Sequence, residues 1–213
     1  MTGTQETTLT YRSLFDRVLD RLEALGTDYT LVKSGRAEEK KMRSVEKAIG
    51  LKLPSALRNF YGTYADGFIL SWSEEEEHGV LDVPSLRDLI GSVKNFRDIP
   101  SKPEEFQFPP GMGEERATEI ARRMGSWVPL QTDAEGNGLC VDCATEGGPV
   151  VYYEHDWFSG DGVTHAHIFA PDFESFVLAW SRVCFVEPTW WPEVFGEREV
   201  GWDEQLFPVK YRL

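Results

Sequence analysis

Cysteines and histidines raise the first chemical question in this chain. Cys140-Val-Asp-Cys143 has the C-x-x-C spacing shared by zinc knuckles and redox pairs. A zinc knuckle needs four ligands, and no second C-x-x-C or H-x-x-x-H accompanies the pair. A redox pair usually opens a helix, whose dipole lowers the thiol pKa. Gly138-Leu-Cys-Val-Asp-Cys143 reads instead as a strand, where positions i and i+3 face opposite ways. The two thiols are therefore expected to diverge as small buried or half-buried side chains. Cys184 makes the count odd, unlike a disulfide-stapled secreted domain.

Asp142, between the two cysteines, and His155-Asp156 have the residue types of an acid–base pair. The simpler expectation is that Asp142 bonds turn amides and that His155 sits half-exposed at a strand end. His165-Ala-His167 would put two imidazoles on one strand face. With His155 and either Asp156 or Asp161 they outline a metal-dependent hydrolase, but no carboxylate or cysteine stands at fixed spacing to complete a ligand set. Neither Gly-x-Ser-x-Gly, a phosphate loop nor H-E-x-x-H occurs. The residues thus assign no catalytic group, no metal ligand and no cofactor.

Glu74 to Glu77 carry a different chemistry. Four consecutive carboxylates repel one another, and a loop between two strands holds them at little cost. They also make an acidic face for a basic partner. Such charge steers association and sharpens specificity, while aromatic side chains anchor affinity. Trp72, Trp157, Trp190, Trp191 and Trp202 are the candidate aromatics.

The positioning elements follow from periodicity. Tyr11, Leu14, Phe15, Val18, Leu19, Leu22 and Leu25 recur at helical steps and stop at Gly26. Residues 27–37 are polar and read as a connection. A second helix, roughly Glu38 to Ile49, ends at Gly50, and a third starts at Pro54, which suits a first helical turn. After the Asp66-Gly67 turn the period changes, and Phe68–Trp72 and Gly79–Val83 read as strands. Pro84 opens a helical stretch with Leu86, Leu89, Ile90 and Val93; a proline-rich loop spans 98–113, and Glu114–Met124 is a short helix. Trp127–Leu130, Leu139–Asp142 and Val150–Glu154 are three strands joined by turns, as in an antiparallel meander. Pro171 starts a last helix, and the Trp- and Pro-rich segment beyond it is irregular. Helices, then strands, then a closing helix make an α+β domain rather than a doubly wound parallel sheet.

Composition bounds the function. The 213 residues are 41% hydrophobic and 13% aromatic, enough for a real core in one domain. No apolar run approaches the ~20 residues of a membrane helix, and Met1–Thr10 lacks a signal-peptide pattern. The expectation is a soluble, cytoplasmic protein that does not engage membrane. With 36 acidic against 22 basic side chains the net charge is −14, which opposes nucleic-acid binding. The charge is lopsided: residues 1–60 carry 11 basic and 8 acidic side chains, so nearly all the acidity follows the Asp66-Gly67 turn.

Glu46-Lys-Ala-Ile-Gly-Leu-Lys-Leu-Pro54, Leu57-Arg-Asn-Phe-Tyr61 and Ala65-Asp-Gly67 together resemble the signature of the SUKH superfamily. Trp127-Val-Pro-Leu130, Gly138–Asp142, Val150–Asp156 and Pro171–Trp180 are similar to that superfamily's central strands and closing helix. Asp66 stands where the family often has Asn, which suits a position of positive φ. The resemblance covers about 38–183. It implies a central antiparallel sheet flanked by helices, with 1–37 an additional N-terminal helix and connection and 184–213 a C-terminal extension packed on the same domain. Glu46 is expected to cap or pair near the Leu53-Pro54 junction.

The resemblance also implies a role. Bacterial members are mostly immunity proteins that bind and neutralise toxin domains, often nucleases, and fungal members include a regulator of cell-wall synthesis. The expected function is non-enzymatic: occlusion of a basic cognate toxin in a one-to-one complex. Expected partner-binding residues are Trp72, Glu74, Glu75, Glu76, Glu77, Asp156, Trp157 and Asp161. A regulatory or scaffolding module that binds a host protein is the competing reading, with the hydrolase behind it.

Overall fold

The computed structural model describes residues 10–98, 112–133, 135–156, 164–188, 191–196, 198 and 200–213. Helix α1 (Tyr11–Leu25) starts where the Thr10 hydroxyl accepts from the Ser13 amide. It stops at Gly26, whose φ of 74° lets its N–H turn back onto the last carbonyls. Leu14, Phe15, Val18 and Leu22 form its buried stripe.

Strand β1 (Tyr29–Lys33) comes next, within the segment expected to be a connection. Its antiparallel ladder to β2 holds it, not burial: every residue after Tyr29 is exposed, so no alternating apolar pattern marks it. Helix α2 (Glu39–Ile49) buries Met42, Val45 and Ile49. Pro54 is the N-cap of α3 (Ser55–Thr63), which therefore begins one residue past the expected start. The Glu46 carboxylate spans this junction, accepting from the Leu53 amide at 3.0 Å and the Arg58 guanidinium at 2.6 Å, the pairing expected there.

The Asp66-Gly67 turn corrects one expectation. Gly67, not Asp66, takes the positive φ, at 99°. Asp66 is placed for its side chain: Oδ1 accepts from the Leu86 amide at 2.8 Å, and Oδ2 pairs with Lys41. It thus caps helix α4 (Leu86–Asp98) from a distant loop.

Strands β2 (Phe68–Glu74) and β3 (Glu77–Val83) form a hairpin. Helix α5 (Glu114–Met124) leads into β4 (Trp127–Thr132), β5 (Gly138–Asp142) and β6 (Val150–Tyr153). A further strand, β7 (Ile168–Ala170), pairs with β6, and at three residues it is too short to show a period. Helix α6 (Phe173–Ser181) begins at Asp172, whose carboxylate accepts from the Ser175 amide at 2.7 Å.

The α+β class stands, with every strand pair antiparallel, but the strands form two sheets rather than one. The orders are β1-β2-β3 and β4-β5-β6-β7. Strand β4 carries Pro129 and a register shift before Gln131, features that deny it a regular outer edge. Strand β3 meets it through a side chain instead: the Asp82 amide donates to Gln131 Oε1 at 3.1 Å.

Strands β5 and β6 are buried at every position because the second sheet is covered on both faces. Leu139, Val141, Val150 and Tyr152 face the large core, with α1, α3, α6 and the first sheet. Trp127, Cys140, Val151 and Tyr153 face a smaller one, with Phe96 of α4 and Ala117, Ile120 and Met124 of α5. The segment 184–213 joins the large core through Trp191 and Phe195 of the short helix α7 (Trp191–Phe195), and through Phe207 and Tyr211. It also extends the first sheet. Val186 bridges Gly79, and the Val80 amide donates to the Phe185 carbonyl at 3.0 Å. No helix among the described residues is long and apolar enough to cross a membrane.

Candidate partner-binding surface

Ladder pairing of β2 and β3 runs out to Glu74 opposite Glu77, so the four acids are not one loose loop. Glu75 and Glu76 alone make the turn, exposed, with Glu75 at φ 53°. Glu74 is a staple. Its Oε2 accepts from the Tyr211 hydroxyl at 2.6 Å, Thr27 Oγ1 at 3.2 Å and Lys210 Nζ at 3.3 Å. Those bonds, Tyr211's foremost, hold its carboxyl below the usual range. One expected interface charge therefore fastens the C-terminal segment to the hairpin.

Trp72 is a correction. Phe68, Leu70 and Trp72 alternate inward along β2, so the indole is only 4% exposed and presents no surface to a partner. Its Nε1 donates to the Cys184 carbonyl at 2.8 Å, and its ring lies 4.4 Å from Tyr211. Asp156 is exposed in the turn after β6, with its Oδ1 3.0 Å from His155 Nδ1. Trp157, Asp161 and Trp190 lie outside the described residues. Trp202 is half-buried, stacked on Phe169.

The fold brings together acids that are far apart in sequence. Glu187 follows the Val186 bridge, its Oε2 3.2 Å from His78 Nε2 on β3. Burial raises its carboxyl pKa; His78 opposes the shift and the charge of Asp133 adds to it. Asp133 belongs to the β4–β5 turn, whose Asn137 side chain accepts from the His155 amide at 2.9 Å. The hairpin, the 184–188 segment, the β4–β5 turn and the Asp156 turn thus follow one another as an acidic band. Glu187 and Asp133 belong to it, and neither was expected; they lie in irregular segments with no periodic signal.

Beside this band a cleft of about 210 Å³ opens between β3 and the C-terminal segment. Glu77, Glu187 and Glu193 wall it, and Val186, Leu206 and Phe207 contribute apolar surface.

The histidines do not converge. Ala166, at φ 67°, turns the chain between His165 and His167, so they do not share a strand face. His165 is fully buried, 5.5 Å from the Trp127 ring, and its Nδ1 accepts from the Glu154 amide at 3.2 Å. Burial lowers its pKa to about 3. His167 stacks on Phe195 at 4.1 Å, and its Nε2–H donates to the Gly201 carbonyl at 2.7 Å. Burial lowers its pKa too, against the pull of that carbonyl. Among the described residues, no three His, Cys, Asp or Glu side chains are placed to hold a metal ion.

The thiols diverge as expected. Cys140 is buried in the small core and Cys143 half-buried against the large one. Burial pushes the Cys140 thiol far up and the Cys143 thiol to about 12, where neither is nucleophilic. Asp142, between them, is fully buried. It accepts from the Ala144 amide at 3.0 Å, Thr145 Oγ1 at 2.9 Å and Arg123 Nε at 3.0 Å, so it bonds its turn and organises structure.

Comparison with known proteins bears on the family of the chain. The replicase polyproteins 1a and 1ab of Breda virus 1 are each 31% identical over 102 residues, which is 48% of this chain and 2% of each polyprotein. That segment is a small fraction of those proteins, whose activities do not transfer with it. The model of the SMI1 / KNR4 family (SUKH-1) matches residues 36–179, from just before α2 to within α6. With that span matched and its α+β fold in place, the chain belongs to the SMI1 / KNR4 family (SUKH-1).

Proposed function

We propose that this chain is a cytoplasmic immunity protein, which binds a cognate toxin domain of basic character and neutralises it by covering its active site, without catalysis of its own. The family is one of immunity-type domains, and the observation that carries the finer reading is the acidic band. Glu75 and Glu76 at the hairpin tip, Asp133 and Asp156 present carboxylates from separate loops, in a chain of net charge −14. Such a surface complements the cationic groove with which a nuclease holds phosphate, and it would speed encounter at low salt.

The test is binding to toxin domains encoded by the genes that neighbour this chain's own. Calorimetry should give a one-to-one complex, with an association rate that falls steeply between 50 mM and 500 mM salt, on the order of the tenfold or greater steering effects known for charged interfaces. No complex at micromolar concentration and low salt would refute the reading.

A further inference from the structure

The outer edges of the two sheets are closed in different ways. Beyond β3, the Val80 amide donates to the Phe185 carbonyl at 3.0 Å and the Glu187 amide to the His78 carbonyl at 2.9 Å. Beyond β7, Val200 bridges Ile168, and the Gly201 amide donates to the Ile168 carbonyl at 2.8 Å. The β4 edge carries Pro129 and a register shift. Strand β1 has none of these devices. Its five residues run in unbroken register with β2, without proline or bulge.

The ladder fixes where the backbone groups of β1 point. The Ser34 amide donates to the Gly67 carbonyl at 3.1 Å, one step beyond the Lys33–Phe68 pair. Bonded and non-bonded pairs alternate along an antiparallel ladder, so Thr30 and Val32 also bond to β2. Tyr29, Leu31 and Lys33 therefore aim N–H and C=O away from the sheet, and among the described residues these groups have no hydrogen-bond partner. Leu31 shares the core face with Leu70 yet is 40% exposed, because no strand lies outside it. Val32, on the outer face beside Ile69, is 53% exposed. Free donors and acceptors alternating with apolar side chains fit an extended strand rather than a compact ligand.

Charge selects which strand. Asp28 precedes β1, at the end where β2 runs on to the Glu75–Glu76 turn, whereas Lys33 closes β1 and Arg36 follows it. Among the described residues Asp28, Lys33 and Arg36 make no ion pair, and Lys33 lies over the Tyr64 ring at 4.0 Å. A second copy in antiparallel orientation sets its basic end against the acidic end of the first, twice over.

We propose that β1 is the edge through which two copies of this chain pair, antiparallel about a two-fold axis at Leu31. In that register each Leu31 faces its counterpart, Tyr29 faces Lys33 and Thr30 faces Val32. The outward groups of Tyr29, Leu31 and Lys33 meet one another, and the two three-stranded sheets become one continuous sheet. Pairing does not depend on the neutralisation reading. The 184–188 segment lies beyond β3, at the opposite edge of that sheet, and stays open in the dimer.

Sedimentation velocity on the full chain, from about 10 μM to about 1 mM, should show a monomer–dimer equilibrium. Its Kd should be on the order of 100 μM, because a five-residue edge buries less than the ~1,200 Å² of a standard interface. Amide hydrogen exchange read by NMR identifies the surface. Protection at Tyr29, Leu31 and Lys33 should rise with concentration, and should rise less at Thr30 and Val32, which already bond to β2. Leu31→Lys sets like charges opposite each other across the axis and should weaken pairing at least about tenfold. It should keep the thermal transition, since that side chain is already 40% exposed. A chain still monomeric at about 1 mM would overturn the proposal, as would a folded Leu31→Lys variant that dimerises unchanged. So would a dimer whose Leu31 amide exchanges equally fast at every concentration. Protection that appears in a monomeric chain only when a toxin domain is added would replace the second copy by a strand of the toxin. Exchange on the unmodified chain needs no variant, so it decides the matter even if Leu31→Lys fails to fold.

Discussion

Gly79→Ala separates local preference from tertiary packing. In a strand interior Gly is weaker than Ala by roughly 0.5–1 kcal/mol, so propensity alone predicts a gain in stability. In the fold, Gly79 faces Trp72 across the hairpin. A β-carbon there would lie 2.3 Å from the indole Nε1 and 2.4 Å from Cε2. The indole has little room to yield, since it is 4% exposed, bonded to the Cys184 carbonyl and packed on Tyr211. Over-packing of this kind costs about 1–3 kcal/mol. Stranding the buried carbonyl adds about 1–3 kcal/mol. Set against the propensity gain, the net loss is about 1–5 kcal/mol, a fall in Tm of about 2–20 °C for a chain of this length. Thermal and urea unfolding, followed by both circular dichroism and tryptophan fluorescence, measure it. A variant as stable as the parent would refute the reasoning. Adding Trp72→Phe should recover part of the loss, because the smaller ring clears the new methyl group; strict additivity of the two changes would contradict the stated contact.

Three further outcomes are expected. Asp142→Ala strands the Arg123 guanidinium and a cluster of turn donors, and should cost about 3–5 kcal/mol in urea unfolding; a loss near zero would mean the buried carboxylate organises nothing. His165 has a pKa of about 3 when folded against 6.5 as its ordinary value, so below pH 6.5 the unfolded chain takes up a proton that the folded chain refuses. Its contribution to stability is complete above 6.5 and is lost as pH falls, by about 2 kcal/mol at pH 5. His165→Phe should flatten that part of the profile, and identical slopes in the two proteins would contradict the assignment. Tyr211→Phe removes the donor that ties the C-terminal segment to Glu74. It should speed hydrogen exchange at Tyr211 and Arg212 while leaving β5 and β6 protected, and unchanged exchange there would show that the staple is not what holds the segment.

Much of the fold was legible because burial imposes a period on sequence. Helices α1, α2, α5 and α6 each repeat apolar side chains at three- and four-residue steps against one core. The family signature was legible for a related reason: Glu46, Leu53 and Pro54 serve one local junction, so their spacing is short and fixed. Strands β1 and β7 were not legible, because an exposed edge strand and a three-residue strand have no alternation to display.

The candidate surface divides in the same way. By itself the sequence determined that the chain is acidic, that its acidity follows the Asp66-Gly67 turn, and that the run Glu74 to Glu77 falls between two strands. Only the tertiary structure decided which charges remain available. Glu74 is consumed by Tyr211, which is 137 residues away, and Trp72 is turned inward by the pleat of β2. Glu187 and Glu193 stand beside Glu77 because Val186 bridges Gly79. Local sequence sets charge and period, because both are properties of neighbouring residues. Long-range pairing sets which carboxylates share a wall, because that depends on where distant segments meet.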